Sequence, residues 1–362
     1  MNQRQTLINQ AAAPPLQGLP VQPESILVRA TNWVGDVVMS LPALEALREL
    51  YPQSRITVLA RPWVKELLSS HPAVDEVWEY AKGGERLRDF TAVWRAAKRV
   101  REGDFAMAVL FQNAFEAGLI SRLGRVPVRV GYDTDGRRLL LSHPVSRKTA
   151  PKGAHQVAYY LNIIRAMGWD GEERDPGLHV TGTDREQARR LFEAEKVARE
   201  RRIVGMAPGA AFGPAKRWPA ERFAEIADRA ATEWGAGILI LGSAGDRESC
   251  RAVAAAMRHT PVDLCGRTGL SEAVAVIDAC DLFLTNDSGL MHVSAALGVP
   301  TVAVFGSTDP VATGPRGPHS RVVRNPVECS PCLRPVCPED YRCMLGISPD
   351  KVWEAACALV RS

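Results

Sequence analysis

With 362 residues, 46% of them hydrophobic and 24% charged, the chain has the make-up of a soluble globular protein with two domains rather than one small module. A net charge of +4 is too small to point to nucleic acid, and no apolar run approaches the roughly 18 residues that cross a membrane. The opening stretch, MNQRQTLINQAAAPPLQGLPVQPES, has no apolar centre and so is no secretory signal; its Pro- and Gln-rich character predicts a disordered tail over 1–24 and a cytoplasmic chain.

Beyond the tail, short β-branched runs alternate with longer amphipathic ones. ILVRA (26–30), RITVLA (55–60), VDEVWEY (74–80), FAMAVLF (105–111) and VRVGY (128–132) are expected as strands. Helices are expected over 36–50, 62–70, 86–102, 114–123 and 154–168. GWDGEERDPG marks a boundary, after which the pattern restarts with strands over 201–209, 235–245, 262–266, 280–287, 300–306 and 321–325. Helices lie between them, over 219–234, 246–258, 271–279 and 289–298. This alternation predicts two doubly wound α/β domains, 25–180 and 181–362, each a parallel sheet covered on both faces. Ligands bind such sheets beyond the carboxyl ends of the strands, so two facing domains would enclose a central cleft.

All the basic excess lies in residues 1–180, which hold 23 basic and 19 acidic residues against 22 and 22 in the remainder. Arg95 and Arg99 stand four apart on one expected helix face, and Arg122, Arg125, Arg129, Arg137 and Arg138 follow. Interleaved acids suit solvated helix faces. The other reading is a basic surface turned to an anionic substrate or an anionic membrane leaflet.

Four stretches carry candidate chemistry. In TNWVGDV, Gly35 permits a tight strand-to-helix turn and Asp36 stands at a helix start. There it is either a carboxylate favoured by the helix dipole or a general base at the carboxyl edge of the first strand. In PGAAFGPAKRWP, Gly209 and Gly213 precede Lys216 and Arg217, and Pro219 suits a helix start; two cations before a helix N-terminus suit phosphate. The loop is not a Walker A sequence, and no G-x-G-x-x-G follows a strand. In LTNDSGLMHVSAALG, Thr285, Asn286, Asp287 and Ser288 are more capping types than one helix needs. The surplus suggests backbone N–H groups and hydroxyls converging on a diphosphate, and His292 would lie on the first turn of the helix, either packed or capping or a ligand. Finally, Cys329, Cys332, Cys337 and Cys343 fall within fifteen residues. They are either free thiols or the ligands of a structural zinc, with an iron–sulfur cluster as a weaker fit.

Taken together, NWVGDVVMSLPALEALRELYP, PGAAFGPAKRWPAERFAEIA and TNDSGLMHVSAALGVPTVAVFGSTDP resemble the ADP-heptose:lipopolysaccharide heptosyltransferases, glycosyltransferase family 9. The likeness is strongest to the members that add the second heptose of the inner core. FQNAFEAGLISRLGRVPVRVGYDTDGRRLLL and HQVAYYLNIIRAMG match in the same order, and the Cys-rich segment resembles that of many members. The resemblance implies a GT-B fold, with acceptor on the first Rossmann-like domain and nucleotide sugar on the second. It further implies inverting, metal-independent transfer from ADP-L-glycero-D-manno-heptose to a phosphorylated, lipid-anchored core saccharide at the cytoplasmic face of the inner membrane. Carried over by residue, Asp36 is the catalytic base and Lys216 the phosphate-binding lysine. Asp287, Ser288, Gly289, Leu290 and His292 form the nucleotide loop, and Arg217 is a second phosphate contact. Arg95 and Arg99 would then face the phosphorylated acceptor. Three other readings remain open at this point: transfer of another nucleotide sugar, a sugar-nucleotide epimerase, and a non-catalytic nucleotide- or glycan-binding protein.

Overall fold

A computed structural model of the protein describes residues 15–82, 86–197 and 201–360, with side chains 86–89 left out. The chain divides into two units between Pro176 and Gly177, against a boundary expected at 180/181. Of the expected tail, residues 1–14 lie outside the described residues. Residues 15–24 are held to the first unit: the Leu16 N–H donates to the Ala166 carbonyl, and the Gln22 amide to the Ser54 hydroxyl at 3.1 Å.

The first unit runs β1 (Ser25–Arg29), α1 (Val34–Leu50), β2 (Arg55–Ala60), α2 (Pro62–Ser69), β3 (Glu76–Glu79) and α3 (Arg86–Glu102). It continues through β4 (Met107–Leu110), α4 (Phe115–Leu123), β5 (Val128–Tyr132), β6 (His143–Val145) and α5 (Gln156–Ala166). The six strands lie in the order β3-β2-β1-β4-β5-β6, every pairing parallel. A parallel sheet covered by helices has no wet face, which is why β1 and β4 are apolar at nearly every position and wholly buried. On one face Leu27, Leu59, Ala108 and Leu110 pack with Ala92, Val93, Ala96 and Val100 of α3.

The second unit comprises α6 (Gly182–Ala194), β7 (Ile203–Ala207), α7 (Ala220–Trp234), β8 (Gly237–Ile240), α8 (Arg247–Ala256), β9 (Val262–Asp263) and α9 (Leu270–Asp278). Then come β10 (Leu282–Asn286), α10 (Gly289–Ala296), β11 (Thr301–Phe305), α11 (Pro310–Thr313), β12 (Ser320–Arg324), α12 (Arg342–Leu345) and α13 (Pro349–Val360). Its sheet, β12-β11-β10-β7-β8-β9, is again parallel throughout and repeats the order of the first. Both are Rossmann sheets, and in each the chain reverses its direction of growth between the first and fourth strands. Ligands bind at that switch point, so the fold directs attention to the carboxyl ends of β1 and β4, and of β7 and β10.

The sequence pattern missed β6, α6, α11, α12 and α13. Helix α6 is polar on most of its surface and buries only Ala188 and Phe192, so its apolar periodicity is faint. It is instead announced by a capping box between Thr181 and Asp184. Two arginines counted toward the basic surface are not on it. Arg129 and Arg137 are buried and donate to main-chain carbonyls, Arg137 Nε to Tyr132 at 2.8 Å and Arg129 Nε to Leu140 at 2.6 Å. Among the described residues no helix is long and apolar enough to cross a membrane.

Candidate functional site

At the switch point of the first sheet, Trp33 leaves β1 in extended conformation and α1 begins at Val34, which puts Asp36 in its first turn. The carboxylate is half-buried and points at α5: the Tyr160 hydroxyl donates to Asp36 Oδ1 at 3.0 Å. Burial first, then the Asp36 charge, pushes the Tyr160 hydroxyl well above its ordinary range, so it is a donor at any working pH. Phe111 and Tyr159 pack on the Tyr160 ring at centroid distances of 6.0 and 5.5 Å and fix where that donor sits.

Beside Asp36 the same edge gathers cations and indoles. Arg29 is 2% exposed and donates to Ala30 O at 2.6 Å, Leu59 O at 3.2 Å and Asn32 Oδ1 at 3.1 Å, tying the ends of β1 and β2 together. Burial lowers its guanidinium to about 10, which still leaves it charged at neutral pH. Arg61 lies 5.3 Å over the exposed Trp63 ring and 5.2 Å over Tyr80, while Trp63 Nε1 donates to Asn32 O at 2.8 Å. Lys82 pairs with Glu116, and Trp33 is exposed next to Asp36. Flat apolar ring faces beside fixed cations suit a saccharide that carries anionic groups. No motif in the sequence singled out Arg29, Arg61 or Trp63. The signal was there, since Arg61 and Trp63 directly follow RITVLA, where ligands of such sheets bind. Arg95 and Arg99 are not among them. They sit on α3 about 14 and 20 Å of helix rise from its start, and Arg99 lies 4.2 Å over the Trp78 ring.

At the switch point of the second sheet, a short turn over Pro214–Lys216 brings Lys216 back toward β10. Lys216 Nζ meets Asp287 Oδ2 at 2.6 Å, with side chains only 15% and 5% exposed, and the Thr308 hydroxyl donates to the same oxygen at 2.6 Å. Asn286 staples the loop in place, accepting from the Trp218 N–H at 3.0 Å and donating to Pro208 O at 2.7 Å. Ser288 is the N-cap of α10 yet makes no capping bond; its hydroxyl shares a hydrogen bond with Thr285 at 3.1 Å. Gly289 and Leu290 open the helix half-buried, and His292 is buried one turn on. Among the described residues, two buried groups on this edge, Arg217 Nε and Ser307 Oγ, have no hydrogen-bond partner. A helix N-terminus, a half-buried lysine and unpartnered donors suit a diphosphate.

The model of glycosyltransferase family 9, the heptosyltransferases, matches residues 93–342. The chain belongs to this family. It is 32% identical to lipopolysaccharide heptosyltransferase 2 of Escherichia coli (strain K12), over 92% of this chain and 98% of that one. It is 34% identical to lipopolysaccharide heptosyltransferase 2 of Salmonella typhimurium (strain LT2), over 83% and 87%. The solved E. coli ADP-heptose LPS heptosyltransferase II superimposes with a TM-score of 0.80 at 30% identity, covering 93% of this chain and 98% of that chain. The protein is therefore a glycosyltransferase of GT-B fold.

In this glycosyltransferase the Cys-rich segment, read from its spacing as either free thiols or zinc ligands, spreads its four cysteines over different degrees of burial. Cys329 is exposed, Cys332 and Cys337 half-buried and Cys343 buried. Among the described residues no three His, Cys, Asp or Glu side chains are gathered closely enough to hold a metal ion. Cys337 Sγ accepts from the Tyr341 N–H at 3.4 Å, and burial pushes the Cys343 thiol up. What the segment does is brace the loops around Lys216. The Ala215 N–H donates to Pro335 O at 3.0 Å, the Ser330 hydroxyl to Gly306 O at 2.6 Å and the Leu333 N–H to Ser307 O at 2.8 Å. Gly213 is required by this contact: its φ is +145°, and a Cβ there would lie 2.4 Å from Pro335 O.

Proposed function

We propose that the chain transfers a heptose from ADP-L-glycero-D-manno-heptose to the inner core of lipopolysaccharide, with inversion at the anomeric carbon. The observation that carries this is the placement of a carboxylate, Asp36, and of a cationic cradle, Lys216 with the α10 N-terminus, each at the switch point of its sheet. In this reading Asp36 accepts the proton of the acceptor hydroxyl as that oxygen bonds to the anomeric carbon. The bond from that carbon to the ADP oxygen breaks, and ADP departs from the opposite face with its new charge held by Lys216, Arg217 and the N–H groups of Gly289 and Leu290. Positive charge at the leaving group comes from the chain itself, so a divalent ion is not needed. Arg61, Lys82, Trp33 and Trp63 receive the phosphorylated, lipid-anchored saccharide, and the enzyme works at the cytoplasmic face of the inner membrane. An epimerase would need no second substrate. Incubation with ADP-heptose and a heptose-bearing phosphorylated core acceptor should therefore release ADP only when acceptor is present, at a rate that EDTA leaves unchanged. Release without acceptor, or none with it, would overturn the reading.

Tyr160 tunes the base. Its hydrogen bond favours the charged carboxylate, so Tyr160→Phe makes Asp36 easier to protonate. The acid limb of the kcat profile is expected to move to higher pH, because the bond that favours the ionised carboxylate is gone. A lowered melting temperature with an unmoved acid limb would reduce Tyr160 to a packing residue.

A further inference from the structure

Helix α3 presents a face that the transfer reaction leaves idle. Its inner side, Ala92, Val93, Ala96 and Val100, is fixed in the core with Trp78 and Phe105. Phe90 and Trp94 point the other way, 66% and 59% exposed. At ~100° per residue, Phe90, Trp94, Lys98 and Arg101 fall within an arc of about 80°. Lys98 and Arg101 are exposed, Arg95 flanks the arc, and no acid occurs between Phe90 and Arg101. Asp89 and Glu102 bound the stretch, and Glu102 pairs with Lys98 at 3.7 Å.

We propose that this face rests on an anionic lipid bilayer, with Phe90 and Trp94 seated at headgroup depth and Lys98, Arg101 and Arg95 against lipid phosphates. The argument is one of complementarity. Aromatic rings with a row of cations beside them match an interface that is apolar below and negative above. A surface meant only for water would not expose two large rings one turn apart. The strands β1, β2 and β3 are parallel, so α3 starts at the carboxyl edge of the sheet, the edge that also carries Asp36, and Phe90 stands in its second turn. The inference rests on the proposal of a lipid-anchored acceptor, which a protein held at this face would meet beside its base.

The test uses the full chain and no sugar substrate. Sedimentation with vesicles of phosphatidylglycerol and phosphatidylethanolamine should exceed that with phosphatidylcholine vesicles. Phe90→Ser with Trp94→Ser should lower the partition coefficient about tenfold or more. Lys98→Glu with Arg101→Glu should lower it roughly 25-fold at low salt, at about fivefold per cation. Arg251→Glu with Arg258→Glu, exposed in the second unit, changes net charge equally and should leave binding intact. All three pairs should transfer heptose normally to a delipidated, soluble acceptor, so a failure of the function reading registers separately. The proposal is overturned if the wild type ignores anionic vesicles or if the second-unit pair weakens binding as much. It is equally overturned if loss of Phe90 and Trp94 abolishes a dimer seen by light scattering while vesicle binding persists.

Discussion

Asp36→Asn is expected to lower kcat by ~10²–10⁴ while ADP binds with near-native affinity, because the base is lost and the donor groups all lie on the other unit. Asparagine is the sharper substitution here. It keeps an oxygen for the Tyr160 hydroxyl, 3.0 Å away in the native protein, while removing the charge and the basicity. Asp36→Ala also takes the acceptor from that buried hydroxyl, which costs about 1 kcal/mol of stability and confuses the reading. If Asp36 served only the dipole of α1, the asparagine variant would lose ~0.3–1 kcal/mol and keep its turnover. Measuring kcat, ADP affinity and melting temperature on one preparation separates the two. Normal turnover in Asp36→Asn would remove the catalytic assignment.

The second large effect is at Lys216. Lys216→Ala deletes a charge-assisted contact to the diphosphate of ~1.5–3 kcal/mol, so donor affinity should fall about tenfold or more. The ion pair adds a consequence for stability. Asp287 keeps the Thr308 hydroxyl but loses its counter-charge with its side chain 5% exposed. Breaking such a pair costs ~3–5 kcal/mol, and the melting temperature should drop with it. Adding Asp287→Asn to Lys216→Ala removes the stranded charge, so stability should return while donor affinity stays weak. Recovery of both together would show that Lys216 acts on the donor only by holding Asp287.

Which candidate residues stand at the two switch points was readable from the chain, and the reason is locality. Asp36, Lys216 and Ser288 each stand within a few residues of a strand end, in turns that announce themselves through glycine, proline and capping types. The two parallel sheets follow from apolar runs alternating with amphipathic ones, a pattern that needs no knowledge of distant partners. The tertiary structure alone decided what each group does with its charge. Tyr160 lies 124 residues from Asp36, and no local pattern ties a tyrosine in one helix to a carboxylate in another. The Lys216–Asp287 pair and the Thr308 bond join three separate loops, and they turn a lysine that reads as a free cation into one already neutralised in part. Burial is equally invisible in a charge count: Arg129 and Arg137 add to a basic half on paper, yet they spend their charge on main-chain carbonyls inside the fold. The four cysteines make the same point in reverse, since spacing brings thiols near one another along the chain but only packing sets their directions. Sequence fixes which groups exist and where along a strand they fall; the field each one feels is a sum over neighbours that only folding assembles.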